Sequence, residues 1–390
     1  MTTIHSYTRK PFLIVERGQR QLRKDVYGAI DDAVVLQAQH LADERAHTTA
    51  LVGMHPVASP GYLPFFSALA RGGAHVVACA TRYTSGDAAL QMENVLLDLA
   101  ACVRHVKEKL GYEKVVLIGW SGGGALMAGY QAEAQKRQIT CTAAGEPTPL
   151  ADTELLSGDG LVLVAAHRSR HRLLADFMDP SITDELNPDA RDPRWNLYDP
   201  ANPDRPPFTP DYLEDYRAAQ IARNRRITAW AKDQLDTMRR RHPDLEKSFV
   251  VHGTMADPRW LDATVDPNGR RAKWCYLGDP EMVNDAPSGL ARYSTTRSWL
   301  SQWSVDDAQV DAVDAGPRIT VPALVIANGR DDAVPTTHPA DTFSAIASTD
   351  KTFYELAEAN HYFNGPDQRS CLTDAVSTVT GWLDEHAFTN

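Results

Sequence analysis

Little in this chain points to an oxidising compartment. Its 390 residues include five cysteines, Cys79, Cys102, Cys141, Cys275 and Cys371, odd in number, scattered, and with no C-x-x-C pair. A disulfide framework is not expected from that pattern, and a reducing compartment, by default the cytoplasm, is. Positive charge is also scarce: 40 Lys and Arg stand against 51 Asp and Glu, a formal net charge of −11. Phosphate backbones are held by basic surfaces, so no nucleic-acid partner is expected. No apolar run approaches the roughly 18 residues of a membrane span, so no membrane partner is expected either. The opening stretch MTTIHSYTRKPFLIVERGQR has only PFLIV as an apolar run and no small-residue cleavage pattern, which argues against a signal peptide. Nucleotide motifs are missing too. No G-K-[ST] follows the glycine-rich segment, no G-x-G-x-x-G follows the first strand, and no cofactor is expected.

What is present is a rhythm. From residue 49, short runs rich in β-branched residues alternate with helical patterns: TALVGM (49–54), HVVACATR (75–82), KVVLIG (114–119), GLVLVAA (160–166), ALVIAN (323–328) and KTFYEL (351–356). Between them, Met92, Val95, Leu96, Leu99, Val103 and Val106 recur at three- and four-residue steps, the mark of a helix with one apolar face. Buried strand runs alternating with helices predict an α/β fold, a mostly parallel, doubly wound sheet covered on both faces. Residues 168–318 break the rhythm with prolines, aromatic residues and few strand runs. They hold too much apolar bulk to stay unfolded and read as a mainly helical insertion, with Ile227, Trp230, Ala231, Leu235 and Met238 on one helix face. The expected organisation is an N-terminal strand-and-helix extension (1–48), a first core segment (49–167), the insertion (168–318) and a second core segment (319–390).

One serine stands among glycines in VVLIGWSGGGALMAGY, residues 115–130. An apolar strand runs into Gly119-Trp120-Ser121-Gly122-Gly123-Gly124, and a helix pattern follows. A sharp strand–turn–helix exposes the serine hydroxyl at the carboxyl end of a strand, and Gly119 and Gly123 let strand and helix approach. The helix start supplies N–H groups, first that of Gly122, able to stabilise an oxyanion. The alternative is a permissive turn with no chemistry.

Set in an alternating α/β chain, GWSGGG resembles the nucleophile elbow of the α/β-hydrolase fold, and the resemblance spans residues 49 to about 387. The family order is nucleophile, acid, histidine. For the acid, the resemblance implies Asp331 in VPALVIANGRDDAVP, four residues before Pro335 as in the family's turn, with adjacent Asp332 the alternative. Three histidines follow it. His338 falls at a helix start and His386 in the terminal helix, which leaves His361 in the loop of KTFYELAEANHYFNG. The second oxyanion donor of the family comes from an early His-Gly-X loop. Here GMHPVASPGY keeps His55, but Pro56 replaces the glycine and has no N–H, and Val57 aligns with the donor position. His55 itself reads as a loop brace.

Other signals read as structural. His252-Gly253 lies inside the insertion, after the nucleophile. His167 and His171 have the i, i+4 spacing of metal ligands, but Arg168 stands where a hydrolytic zinc helix carries glutamate, so no metal is expected. RNRR (223–226) and MRRRH (238–242) read as solvated helix faces paired with acids, with recognition of an acidic substrate as the alternative.

The resemblance implies a serine hydrolase with a large cap. Ser121 would be the nucleophile, His361 the general base and Asp331 its orienting acid, with Gly122 and Val57 as oxyanion donors. The expected partner is a small-molecule substrate, a bulky and mostly apolar ester or lactone, with a homodimer left open. Carbon–carbon bond hydrolysis and acyl transfer use the same three residues, and a non-catalytic ligand-binding module is the remaining alternative.

Overall fold

Strands buried on both faces should be largely apolar, and four strands of this chain fit that rule. The computed structural model, which describes residues 5–18, 24–30, 32–287 and 289–389, begins with β1 (Thr8–Arg17) and β2 (Ala33–Ala42). Next come β3 (Thr49–His55), helix α1 (Pro64–Arg71), β4 (Val76–Ala80), α2 (Met92–Glu108), β5 (Lys114–Trp120), α3 (Gly122–Gln135) and β6 (Gly160–Val164). Every residue of β3, β4 and β6 is buried, and all of β5 after Lys114. Successive side chains point to opposite faces. Val52 and Met54 of β3, Leu117 of β5 and Leu163 of β6 therefore pack with Val95 and Leu99 of α2 and Leu126 of α3. Their neighbours Leu51, Val116, Ile118 and Val162 form a second cluster on the other face, with Phe65 and Leu69 of α1.

The insertion contributes α4 (Arg170–Phe177), α5 (Pro210–Arg239), β7 (Ser248–Val250), α6 (Pro280–Asn284), β8 (Tyr293–Thr295), α7 (Thr296–Gln302) and α8 (Ala312–Ala315). It is mainly helical, with a small antiparallel β7–β8 ribbon. The 30-residue α5 is capped by Thr209, whose hydroxyl accepts the Tyr212 N–H, with Pro210 in the first turn. The insertion builds cores of its own. Ile227, Ala231 and Leu235 pack on Trp299 and Trp303, whose rings stack 5.2 Å apart. Val310, Ala312 and Ala315 already belong to the cluster under the sheet, so core packing resumes before residue 318.

The chain closes with β9 (Ala323–Asn328), α9 (Thr337–Ala345), β10 (Lys351–Leu356) and α10 (Gln368–Glu385). The eight strands lie in the order β1-β2-β4-β3-β5-β6-β9-β10. Pairings from β4 to β10 are parallel, whereas β1–β2 and β2–β4 are antiparallel. The insertion thus falls between the sixth and seventh strands of the sheet.

Two expectations are corrected. Among the described residues the N-terminal segment holds no helix; Thr8–Arg17 and Ala33–Ala42 pair as two antiparallel ten-residue strands added to the main sheet. Ile14 is 3% exposed between Leu13 at 59% and Val15 at 55%, so this run has the alternation of a strand with one covered face. KTFYEL is a strand, but not a buried one: Thr352 to Glu355 are exposed, because β10 is the sheet's last strand and among the described residues pairs only with β9. No helix among the described residues is long and apolar enough to cross a membrane.

Candidate active site

Strand β5 runs into α3 through a single residue. Ser121 has φ 53° and ψ −122°, a left-handed conformation that costs a non-glycine residue about 1–3 kcal/mol and persists only where the surroundings enforce it. The surroundings here are backbone. A Cβ on Gly119 would lie 2.5 Å from the Gly123 carbonyl oxygen, and one on Gly123 would lie 2.5 Å from the Met54 carbonyl oxygen on β3. The helix start is thus wedged between two strands at a distance only glycine permits. The Ser121 N–H donates to the Val164 carbonyl of β6 at 3.2 Å, which ties the corner to the other neighbouring strand.

His361, in the loop after β10, brings Nε2 to 3.0 Å from Ser121 Oγ. Its Nδ1 is 2.9 Å from Asp331 Oδ2. The other carboxylate oxygen of Asp331 accepts the N–H groups of Ala333 and Val334 at 2.8 and 2.7 Å, so the turn after β9 aims the carboxylate. An acceptor on Nδ1 fixes that proton and leaves the Nε2 lone pair for the serine hydroxyl. Burial works to lower the His361 pKa, but the charge and hydrogen bond of Asp331, with the charge of Asp332, outweigh it and raise the value. Adjacent Asp332 makes no hydrogen bond to the imidazole. Burial and the neighbouring Asp331 charge push its pKa up to about 6. Between the two candidates, Asp331 is the one joined to His361.

The remaining residues singled out in the sequence fall in different places. Gly122 is the first residue of α3, and the first N–H groups of a helix have no carbonyl within it to bond. The Val57 N–H donates to His55 Nδ1 at 3.3 Å, and the Ala58 N–H donates to the same nitrogen at 3.0 Å. His55 therefore braces its loop, and the Val57 amide hydrogen is turned toward it. His171 lies 4.0 Å from Asp311, whose two oxygens accept from Arg168. His167 is buried separately, and a Cβ on Gly122 would lie 3.2 Å from its Nε2. RNRR is only partly a solvated face: Arg225 pairs with Asp306 in solvent, while Arg223 is buried and bonds both oxygens of Glu185. His252 and Gly253 give their carbonyls to Arg223.

One group of three metal-capable side chains gathers among the described residues: Asp43, His47 and His75. It sits at the amino ends of β3 and β4, across the sheet from Ser121, and Arg45 pairs with the Asp43 carboxylate.

Sequence reasoning missed the grip of the insertion on the acid turn. The Asn268 amide donates to the Asp331 carbonyl at 2.7 Å, the Trp260 indole to the Asp332 carbonyl at 2.9 Å, and Arg259 to the Ala333 carbonyl at 3.2 Å. Tyr276, also from the insertion, stands edge-on to the His361 ring, 6.1 Å between centroids. Partners more than sixty positions apart leave no local pattern to read.

No family model and no curated protein matches the sequence. Solved structures do match in shape. The chain aligns with the α/β hydrolase GrgF from Penicillium sp. sh18 at a TM-score of 0.51 and 11% identity, covering 97% of each chain. It aligns with the siderophore hydrolase EstB from Aspergillus fumigatus at a TM-score of 0.50 and 14% identity, covering 90% of this chain and 94% of that one. A monoacylglycerol lipase from Paleococcus ferrophilus aligns at a TM-score of 0.45 and 15% identity, over 97% of this chain and all of that one. The protein has the α/β-hydrolase fold.

Proposed function

We propose that the protein is a serine hydrolase that cleaves a carboxylic ester or lactone through an acyl-enzyme on Ser121. The observation that carries this is the unbroken line from Ser121 Oγ to His361 Nε2 at 3.0 Å and from His361 Nδ1 to Asp331 at 2.9 Å, set on a strained strand–helix corner. Ser121 Oγ attacks the carbonyl carbon as its proton passes to His361 Nε2. Asp331 stabilises the imidazolium, and the Gly122 N–H faces the oxyanion at the positive end of α3. Collapse breaks the bond to the alcohol oxygen, which takes the proton from His361. Water, deprotonated by the same nitrogen, then attacks the acyl carbon and frees Ser121.

The rings of Trp120, Tyr362 and Tyr276 stand 4.7, 5.0 and 6.1 Å from that of His361, which supports a bulky, mostly apolar substrate. All five cysteines are free, in keeping with a reducing compartment such as the cytoplasm. The test is hydrolysis of a panel of bulky esters and lactones by wild type and Ser121→Ala, with products followed in the presence and absence of an added alcohol. Turnover by the wild type alone, giving free acid, is the expected result. Equal turnover by the variant would remove the proposal.

A further inference from the structure

The proposed reaction needs a second donor to the oxyanion, and the loop after β3 is badly placed to give one from its backbone. Pro56 has no N–H, and the Val57 N–H is engaged with His55 Nδ1 at 3.3 Å. The same contact settles where the His55 proton lies. A nitrogen that accepts two backbone N–H groups, from Val57 and Ala58, carries no hydrogen, so in the neutral ring the proton is on Nε2. That Nε2 has no hydrogen-bond partner among the described residues.

It also lies close to the Gly122 amide. His55 Nε2 lies 2.8 Å from where a Cβ on Gly122 would be. That point is about 2.5 Å from the Gly122 amide nitrogen by covalent geometry, so the two nitrogens are within about 5 Å of each other. Two donors each about 2.9 Å from one oxygen can stand up to about 6 Å apart. We infer that the Nε2–H of His55 is a catalytic hydrogen-bond donor to the oxyanion, paired with the Gly122 N–H and taking the role that the Val57 backbone cannot fill. This rests on the serine-hydrolase proposal and names a residue of its site.

Burial, with the nearby Arg170 and His361 charges, holds the His55 pKa down at about 3, so the ring stays a neutral donor over the working pH range. His167 also approaches Gly122, but among the described residues neither ring nitrogen of His167 has a hydrogen bond to fix its tautomer, its buried Nδ1 included. Gly122 itself is constrained by this arrangement, since any side chain would displace the two imidazoles.

His55→Asn separates the two tasks of the residue. An asparagine oxygen can accept the Val57 and Ala58 amides as Nδ1 does, but the side chain is too short to place a donor where Nε2 stands. With p-nitrophenyl acetate, kcat should fall about 10²–10³-fold, the loss seen on removing one oxyanion donor, with KM changed less than about threefold. A kcat within about threefold of wild type would overturn the role and leave His55 a loop brace. A second measurement needs no stable variant. In ¹⁵N-histidine-labelled wild type inactivated by a small phosphonate, the His55 Nε2 proton should move downfield as it bonds the phosphonyl oxygen, and an unmoved resonance would refute the proposal. A wild type that is never modified at Ser121 defeats the hydrolase reading itself. A modified wild type with an indifferent His55 defeats only this inference.

Discussion

A tight backbone approach beside Ser121 makes Gly119→Ala an informative substitution. The added Cβ would lie 2.5 Å from the Gly123 carbonyl oxygen and 2.6 Å from Gly124 Cα, all backbone atoms that cannot rotate away. Ordinary contact needs about 3.5 Å, so the start of α3 must retreat by roughly 1 Å. Overpacking of this kind costs about 1–3 kcal/mol. With an unfolding entropy of about 2.1 cal/mol/K per residue, a chain of this length loses only roughly 1–4 °C in Tm. Activity should suffer far more. Ser121 sits between Gly119 and the helix, and a displacement near 1 Å of a reacting atom costs about 100-fold in rate. Differential scanning fluorimetry and the rate of fluorophosphonate labelling separate the two effects. A variant that unfolds a few degrees lower and labels about 100-fold more slowly is expected. Labelling at the wild-type rate would refute the claim that glycine contacts position the serine.

Other outcomes follow from the same geometry. Since His361 must be neutral to accept the serine proton and its pKa is raised, the activity profile should climb with pH through a midpoint above the ordinary 6.5. Asp331→Asn removes the charge that raises it, so the midpoint should move down while kcat falls about 10⁴-fold; an unchanged profile measured by initial rates would count against the assignment. Glu185→Gln weakens a two-pronged pair with the buried Arg223, which keeps bonds to the carbonyls of Asp179 and His252, and should cost about 1–3 kcal/mol by urea denaturation. Asn268→Ala frees the Asp331 carbonyl of its partner from the insertion, and kcat/KM should drop roughly fivefold, the effect of about 1 kcal/mol.

The central strands were legible because burial on both faces demands apolar residues at every position, as in GLVLV of β6. The order serine, acid, histidine led to three residues that the fold places in one hydrogen-bonded line, since each follows the carboxyl end of a strand. Residues 8–42 were harder. Leu13 and Val15 are apolar yet exposed, which hides the period of two that Phe12 and Ile14 carry. The exposed face of β10 was invisible for a related reason, because Phe353 and Tyr354 suit a strand anywhere and only its position in the sheet exposes them. Alignment with the family pattern put an amide donor at Val57, whereas the direction of that N–H depends on a side chain two residues earlier. The hold of Asn268, Trp260 and Arg259 on the acid turn belongs to tertiary structure alone.

The most direct test of the account is intact-mass analysis after exposure to a fluorophosphonate, with wild type beside Ser121→Ala. One phosphonyl adduct on the wild type and none on the variant is the expected result. A folded wild type that takes no adduct from a small fluorophosphonate, or a variant labelled equally, would contradict a nucleophilic Ser121.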